Sequence, residues 1–146
     1  SGSAGSPVVD HGIVYVNDNR SITALDAGTG NKLWQTGLGP NLNGSIALAK
    51  GHIYGATQDF LIWNVNATTG SLLKTTDEGY GFSAAPAVAN GVLYAASFNV
   101  VGAFDAKSGK PLWSGQIDRL PNVSPVVSNG RVYVADGTLS AFALPD

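Results

Sequence analysis

One pattern recurs four times along this chain, at intervals of 39 or 40 residues, and it constrains the fold more than any other feature. Each copy centres on a tyrosine that follows a glycine by three positions, and these tyrosines are Tyr15, Tyr54, Tyr94 and Tyr133. Self-similarity at a period of about 20 to 50 residues is typical of chains that stack one small structural unit several times. We therefore predict a flexible N-terminal segment, residues 1–5, followed by repeat units at residues 6–44, 45–84, 85–123 and 124–146, the last incomplete.

Each unit has the pattern of short β-strands joined by tight turns. In the first unit, apolar runs lie on either side of His11-Gly12, and in the third and fourth units the corresponding turns are Asn90-Gly91 and Asn129-Gly130. Asn-Gly between two apolar runs is a strong hairpin signal, because both residues tolerate positive φ. Ile22–Leu25 and Lys32–Trp34 complete the unit as a third and a fourth strand.

Four antiparallel strands cannot bury both faces of their sheet alone, so the units must stack on one another, as the blades of a β-propeller do. The predicted fold is all-β, with about 3.5–4 blades of four-stranded antiparallel sheets, since 141 residues from Ser6 onward divide into units of about forty. The composition agrees with this, because 19 glycines and 44% hydrophobic residues accompany only 12% charged residues.

Two copies of the unit depart from the pattern. The second has Asn66 where the first and third have aspartate, and Lys74 where they have tryptophan. The fourth has no fourth strand after Leu139–Phe142. Because a partial ring leaves open flanks, we expect a protein partner or a second copy of the chain to complete the propeller. A piece of a longer propeller and a small closed ring of four blades are the alternatives.

Composition and charge exclude several classes of function. A formal net charge of −2 without a basic run argues against nucleic-acid binding, and no apolar stretch is long enough for a membrane span. With no cysteine there is no disulfide and no thiolate ligand or nucleophile. His11 and His52 lie in equivalent turns, but the sequence supplies no third metal ligand near them. Low charge and many small polar residues favour an extracellular or periplasmic location.

The run Ala-Leu-Asp-Ala-x-Thr-Gly-x-x-Leu-Trp, preceded by Gly-x-Val-Tyr-Val, resembles the repeat of the pyrroloquinoline-quinone (PQQ)-like β-propeller family. It is complete in the first and third units, and the resemblance extends from about Ser6 to Leu144. The resemblance implies that Trp34 and Trp113 dock on the neighbouring blade. It also implies that the turns hold this docking in place through Asp26, Thr29, Gly30, Asp105, Ser108 and Gly109.

The resemblance implies two kinds of function. Quinoprotein dehydrogenases of the family carry a vicinal cysteine pair and a calcium site beside the quinone, whereas other members are non-enzymatic scaffolds. Since this chain has no cysteine and no evident acidic cluster, we expect a scaffold or binding module with no catalytic, cofactor or metal residue. A fragment of a PQQ-dependent dehydrogenase, whose quinone, calcium and active-site residues lie elsewhere, is the first alternative, and a lectin-like sugar-binding propeller is the second.

A binding site on a propeller is expected in the loops at one rim, where aromatic and arginine side chains provide most interaction hot spots. The candidate rim residues are Arg20, Phe60, Tyr80, Phe82, Phe98 and Arg119.

Overall fold

The structure of the chain is a computed structural model. The residues it describes are 5–40, 42–57, 61–77, 85–97, 99–118, 123–135 and 137–143. Within them the secondary structure is all β-strand and turn, which confirms the predicted fold class. No helix in this part of the chain is long and apolar enough to cross a membrane.

The strands form one sheet for each copy of the repeat, and in each sheet consecutive strands are antiparallel neighbours. The first sheet contains β1–β4, the second β5–β8, the third β9–β12 and the fourth β13–β15. In chain order, the strands are β1 (Val8–Asp10), β2 (Ile13–Asn17), β3 (Ser21–Asp26), β4 (Lys32–Gly37), β5 (Leu42–Ala49), β6 (His52–Thr57), β7 (Leu61–Asn66), β8 (Leu72–Asp77), β9 (Ala87–Ala89), β10 (Val92–Ser97), β11 (Val100–Asp105), β12 (Pro111–Gln116), β13 (Val126–Ser128), β14 (Arg131–Ala135) and β15 (Leu139–Ala143).

The second sheet begins earlier than the repeat suggested. Strand β5 starts at Leu42, before the predicted boundary at Ser45, and its pairing with β6 shifts register between Asn43 and Ala47. A bulge of this kind accommodates extra residues in one strand of a pair. The sequence pattern cannot reveal this irregular start, because the residues in the bulge interrupt the alternation on which strand prediction depends.

The hairpin turn between the first two strands of each sheet has positive φ at both central residues, as predicted from the Asn-Gly pairs. Asn90 has φ 52° and Asn129 has φ 49°, each before a glycine that is also left-handed. His11 (φ 45°) and Lys50 (φ 50°) occupy the same position in the first and second sheets. The turn geometry therefore persists where the favoured residue is absent.

Successive side chains of a strand point to opposite faces of its sheet, so each sheet has two distinct faces. We call the face that carries the repeat tyrosine the tyrosine face, and the opposite face the reverse face. Three hydrophobic clusters join the four sheets: Tyr15 packs with Ile53, Tyr54 with Leu93, and Tyr94 with Val132. The tyrosine face of each sheet thus packs on the reverse face of the next, and this contact is called a junction below.

Candidate functional site

The Asp-x-x-Thr/Ser-Gly turn that follows the third strand of a sheet is held by one carboxylate. Asp26 Oδ1 accepts hydrogen bonds from the backbone N–H of Thr29 at 2.7 Å, from its hydroxyl at 2.7 Å, and from the N–H of Gly28 at 3.1 Å. Asp105 Oδ1 accepts bonds from the N–H and the hydroxyl of Ser108, both at 2.6 Å. These bonds favour the charged form of an aspartate. The pKa of Asp26 and the pKa of Asp105 are therefore lowered, chiefly by the hydroxyl bond in each case.

Each of these turns also needs its glycine. Gly30 has φ 73° and donates its N–H to the carbonyl of Asp26 at 2.8 Å, and Gly109 has φ 71° and donates to the carbonyl of Asp105 at 2.8 Å. Only glycine adopts this left-handed conformation without a steric cost from Cβ. The aspartate and the left-handed glycine together fix the backbone of each turn.

Trp34 lies in β4, the outer strand of the first sheet (the fourth strand of a sheet is called its outer strand below), and it docks on the corresponding turn of the second sheet, where Asn66 takes the place of the aspartate. Its Nε1–H donates to the carbonyl of Ala67 at 3.1 Å. Its ring lies so close to Gly70 that a Cβ at that position would be 2.7 Å from the ring atoms. Tyr15 lies beside the indole, with ring centroids 6.0 Å apart, and its hydroxyl reaches the same carbonyl at 3.4 Å. One carbonyl and one glycine thus anchor the first junction.

Trp113 holds the corresponding place in the third sheet, and its partner is an aromatic ring of the fourth. Its ring meets Phe142 edge-on, with centroids 5.3 Å apart and an interplanar angle of 63°. Both rings cover Gly115, where a Cβ would be 2.7 Å from the nearest Phe142 atom. The third junction is therefore closed by an aromatic pair.

The second junction has no tryptophan in this position, since Lys74 is the backbone partner of Asn64 where the first and third sheets pair tryptophan with alanine. Asn64 takes over part of the role: its Nδ2 donates to the carbonyl of Ala106 at 3.3 Å. Ala106 is the repeat equivalent of Ala67. The two junctions therefore use equivalent carbonyl acceptors but different side-chain donors. Sequence reasoning missed Asn64, although an asparagine at a position where the other three repeats have alanine was a signal.

A groove lies between the second and third sheets, beside Ala106 and Gly109, which are the repeat equivalents of the Ala67 and Gly70 that Trp34 contacts. The groove is lined by Tyr54, Ile62, Trp63, Asn64, Leu93, Asp105, Ala106 and Gly109. Burial raises the pKa of Tyr54, with a smaller contribution from the charge of Asp105. His52 lies at the edge of this junction, with its ring stacked on Tyr54 and its Nδ1 3.1 Å from Asn64 Oδ1.

Of the candidate rim residues, Arg20 is the one that the structure describes. It is exposed, in a turn where its backbone N–H donates to Asp18 Oδ1 at 2.7 Å. This bond is the main reason that the pKa of Asp18 is lowered. The others lie outside the described residues, and they are Phe60, Tyr80, Phe82, Phe98 and Arg119.

The histidine and acidic side chains of the described residues are dispersed over the sheets. No three histidine or acidic side chains come together in this part of the chain. His11 instead pairs with its neighbour Asp10, 2.8 Å away on the surface, and the hydrogen bond to that carboxylate raises its pKa. His11 and His52 therefore have separate local partners.

The comparisons with known proteins agree with this geometry. A sequence model of the family described as "Outer membrane protein assembly factor BamB" matches residues 1–80 and 58–145. The chain belongs to the PQQ-like β-propeller repeat family. In this PQQ-like propeller chain, the repeat motif specifies the two faces of each sheet and the docking of Trp34 and Trp113.

A curated relative is the "Quinoprotein alcohol dehydrogenase PedH" of Pseudomonas putida, which is 32% identical over 134 residues. The match covers 77% of this chain but only 22% of the dehydrogenase.

Two solved structures share the fold at low sequence identity. BamB from Moraxella catarrhalis has a TM-score of 0.82 and 18% identity, over 96% of this chain and 43% of that one. The computationally designed Ika4 protein has a TM-score of 0.83 and 12% identity, over 98% of this chain and 92% of that one. The chain therefore has nearly the length of Ika4 and about half the length of the BamB chain.

Proposed function

We propose that this chain is a non-catalytic propeller module of an exported protein, and that it binds or scaffolds other proteins. The observation that carries the proposal is the use of the motif's polar groups. Asp26 and Asp105 are turn acceptors, and Trp34 donates to a neighbouring sheet. In the described residues these groups are occupied by the fold itself, as expected when a repeat serves architecture.

The rim loops are the proposed binding surface. Arg20 is exposed there on a turn whose backbone is fixed by Asp18. A planar guanidinium on a rigid loop is well suited to contact a carboxylate or an aromatic ring of a protein partner. From their sequence positions, we assign Phe60, Tyr80, Phe82, Phe98 and Arg119 to the same rim.

A second candidate function is supported by the 32% identity to a quinoprotein alcohol dehydrogenase. In that case the chain would contribute blades to a PQQ-dependent enzyme whose ligands for the quinone and its metal lie in other blades. Such an enzyme would oxidise alcohols or sugars, and the present residues would supply the wall of the propeller rather than the reacting groups.

Dye reduction by the chain itself tests the non-catalytic proposal, whereas a longer reading frame that encodes further blades and a cysteine pair would favour the second candidate. The purified chain is incubated with PQQ and calcium, then with an alcohol or a sugar and a redox dye, beside a quinoprotein dehydrogenase as positive control. We expect no dye reduction above the rate of a protein-free sample. Turnover by the chain would overturn the non-catalytic proposal.

Cross-linking the chain in an extract of exported proteins tests whether it binds a protein partner. Arg20→Ala is the rim variant, and Leu33→Ser in the outer strand is the matched control, because Leu33 is exposed and remote from the rim loops. We expect the rim variant to lose a cross-linked protein that the control keeps. Binding to a glycan array with no protein captured would instead favour a lectin.

A further inference from the structure

Each outer strand contains a β-bulge whose extra residue is a leucine. In the first sheet, β3 pairs with Lys32 and with Trp34 of β4 but skips Leu33. In the second and third sheets, the residues skipped in this way are Leu73 and Leu112. A bulge of this kind changes the direction in which the extra side chain points. The repeat therefore places a leucine at the same irregular point of three sheets.

Leu33, Leu73 and Leu112, called the bulge leucines below, are exposed to the same extent. Leu33 is 50% exposed, Leu73 is 49% exposed and Leu112 is 52% exposed. Trp34 and Trp113, which follow two of them in the chain, are half-buried at the junctions. A single exposed apolar side chain is ordinary on a protein surface. Three equivalent ones show that the exposure belongs to the repeat.

The bulge leucines all lie near one rim of the molecule. Each is the second residue of its outer strand, directly after the turn that follows the third strand. In all three sheets this turn is bonded to the hairpin turn between the first two strands, and in the first sheet the N–H of Ala27 donates to the carbonyl of Gly12 at 2.8 Å. The two kinds of turn therefore share a rim, which we call the turn rim. The rim loops lie at the opposite ends of the strands.

The turn rim also carries most of the exposed cations that the structure describes. They are distributed over all four sheets, and they are Lys32, Lys50, Lys107, Lys110 and Arg131. The acidic residues of this rim are fewer, and they are Asp10, Asp26 and Asp105. At the opposite rim, acidic residues outnumber basic ones, since the described charged residues there are Asp18, Arg20, Asp77 and Asp118. In the described part of the chain, the turn rim is therefore positive and the opposite rim is negative.

We propose that the turn rim binds the surface of an anionic phospholipid bilayer. The bulge leucines enter the boundary between the headgroups and the acyl chains, and the lysine and arginine side chains around them contact lipid phosphates. Membrane-surface binding combines these two contributions, apolar burial and attraction to anionic headgroups. The rim loops then face away from the bilayer. The inference does not depend on what the rim loops bind or on whether the module is catalytic.

A bilayer suits the turn rim better than a protein partner does. The bulge leucines and the cations are distributed over several sheets, whereas the core of a protein interface is one closely packed patch. A bilayer presents phosphates and acyl chains at every point of its surface, so each sheet can make its own contact. The turns are already fixed by Asp26, Asp105 and left-handed glycines, so little ordering is needed on binding.

Vesicle flotation gives the first test. The purified chain is mixed with vesicles of phosphatidylglycerol and phosphatidylcholine in equal parts, or with vesicles of phosphatidylcholine alone. We expect the chain to float with the anionic vesicles, to be released as the salt concentration rises because the charges are screened, and not to float with the neutral vesicles. No binding to the anionic vesicles at low salt would overturn the proposal, and so would equal binding to both kinds.

Point variants then locate the contact. The triple variant Leu33→Ser, Leu73→Ser and Leu112→Ser removes the apolar anchors, and we expect it to bind anionic vesicles about tenfold more weakly, given the free energy of burying leucine side chains. A second variant, Lys50→Glu with Lys107→Glu, reverses two charges of the same rim and should also bind more weakly. Circular dichroism confirms that each variant is folded.

Matched controls carry the same kinds of substitution near the opposite rim. Leu139→Ser removes an exposed leucine, and Arg20→Glu reverses an exposed charge. Both should bind the anionic vesicles as the parent chain does. If the controls weaken binding as much as the turn-rim variants do, the turn rim is not the contact and the proposal is wrong.

A fluorescent label reports which rim enters the lipid. The chain has no cysteine, so Leu73→Cys and Leu139→Cys each provide a unique labelling site. On addition of anionic vesicles, the emission of an environment-sensitive label should shift to the blue when the label replaces Leu73 and stay unchanged when it replaces Leu139. The opposite pattern would overturn the proposal. Retention on immobilised polyglutamate without any vesicle binding would also overturn it, because the occupant would then be an acidic protein.

Discussion

In both the first and the second junction, a side-chain N–H of one sheet donates to a turn carbonyl of the next sheet, but the two junctions use different side chains. In the first, Trp34 supplies both an N–H for the carbonyl of Ala67 and a ring that covers Gly70. In the second, Asn64 supplies an N–H for the equivalent carbonyl of Ala106, but it has no ring, and a groove remains. The hydrogen bond and the covering ring are therefore separable functions of the repeat tryptophan, and Asn64 supplies only the hydrogen bond.

The largest effect is expected from removing the ring at the first junction. Trp34→Ala deletes a half-buried indole together with its hydrogen bond, and we expect a loss of about 3 kcal/mol in the free energy of unfolding, the lower end for large aromatic truncations in a core. Urea denaturation measures it. A loss below 1 kcal/mol, the size of a single hydrogen bond, would mean that the ring adds nothing to the junction.

A pair of glycines separates ring contact from backbone conformation. Gly70 and Gly30 have φ 74° and 73°, but a Cβ at Gly70 would meet Trp34 at 2.7 Å, while at Gly30 it would meet nothing within 4 Å. Gly30→Ala should cost about 1 kcal/mol from left-handed strain alone. Gly70→Ala should cost about 2–3 kcal/mol, because overpacking adds to that strain. Equal losses in thermal or urea denaturation would contradict the close packing of the indole.

The second junction should respond more weakly. Asn64→Ala removes the hydrogen bond to the carbonyl of Ala106 and the contact of Asn64 Oδ1 with His52 Nδ1, so we expect a loss of about 1–2 kcal/mol. Adding Lys74→Trp to that variant restores the alanine–tryptophan pair of the other sheets, and urea denaturation should then show stability above that of the parent chain. A double variant no more stable than Asn64→Ala would mean that the groove does not accept an indole.

The smallest effect is expected from acid. Asp26 and Asp105 have pKa values lowered from 3.8, so each stabilises the fold above pH 3.8, and this contribution is lost as the pH falls through the lower, folded pKa. The turn of the second sheet uses Asn66, whose Oδ1 accepts the same backbone bonds without titrating. Asp26→Asn should therefore make the free energy of unfolding fall less steeply below pH 3.8 than it does in the parent chain. Denaturation at several pH values measures this difference.

Most of the fold follows from the sequence because the repeat encodes it several times. The Asn-Gly pairs predict the turns at Asn90 and Asn129, and the alternation of apolar residues predicts the strands between them. The early start of the second sheet at Leu42 was not predictable, because register shifts depend on how a strand meets its partner rather than on its own residues.

Less of the candidate site could be predicted. The motif indicates that Trp34 and Trp113 are important, but it does not specify their partners, since Ala67 contributes only a backbone carbonyl and Phe142 belongs to a different repeat. The replacement at Asn64 lies ten positions from Lys74 along the chain, and only the cross-strand pairing brings the two together. Contacts of this kind need the register before they can be inferred.

The hairpin turns have a consequence for how such a chain can change over time. Their backbone is the same in all four sheets although His11 and Lys50 are not the residues it favours. Each sheet is thus formed by one short stretch of chain. It contacts its neighbours through its tyrosine face and its reverse face. Whole units can therefore be duplicated, deleted or exchanged without redesigning the rest, and the number of units becomes a variable independent of their internal structure.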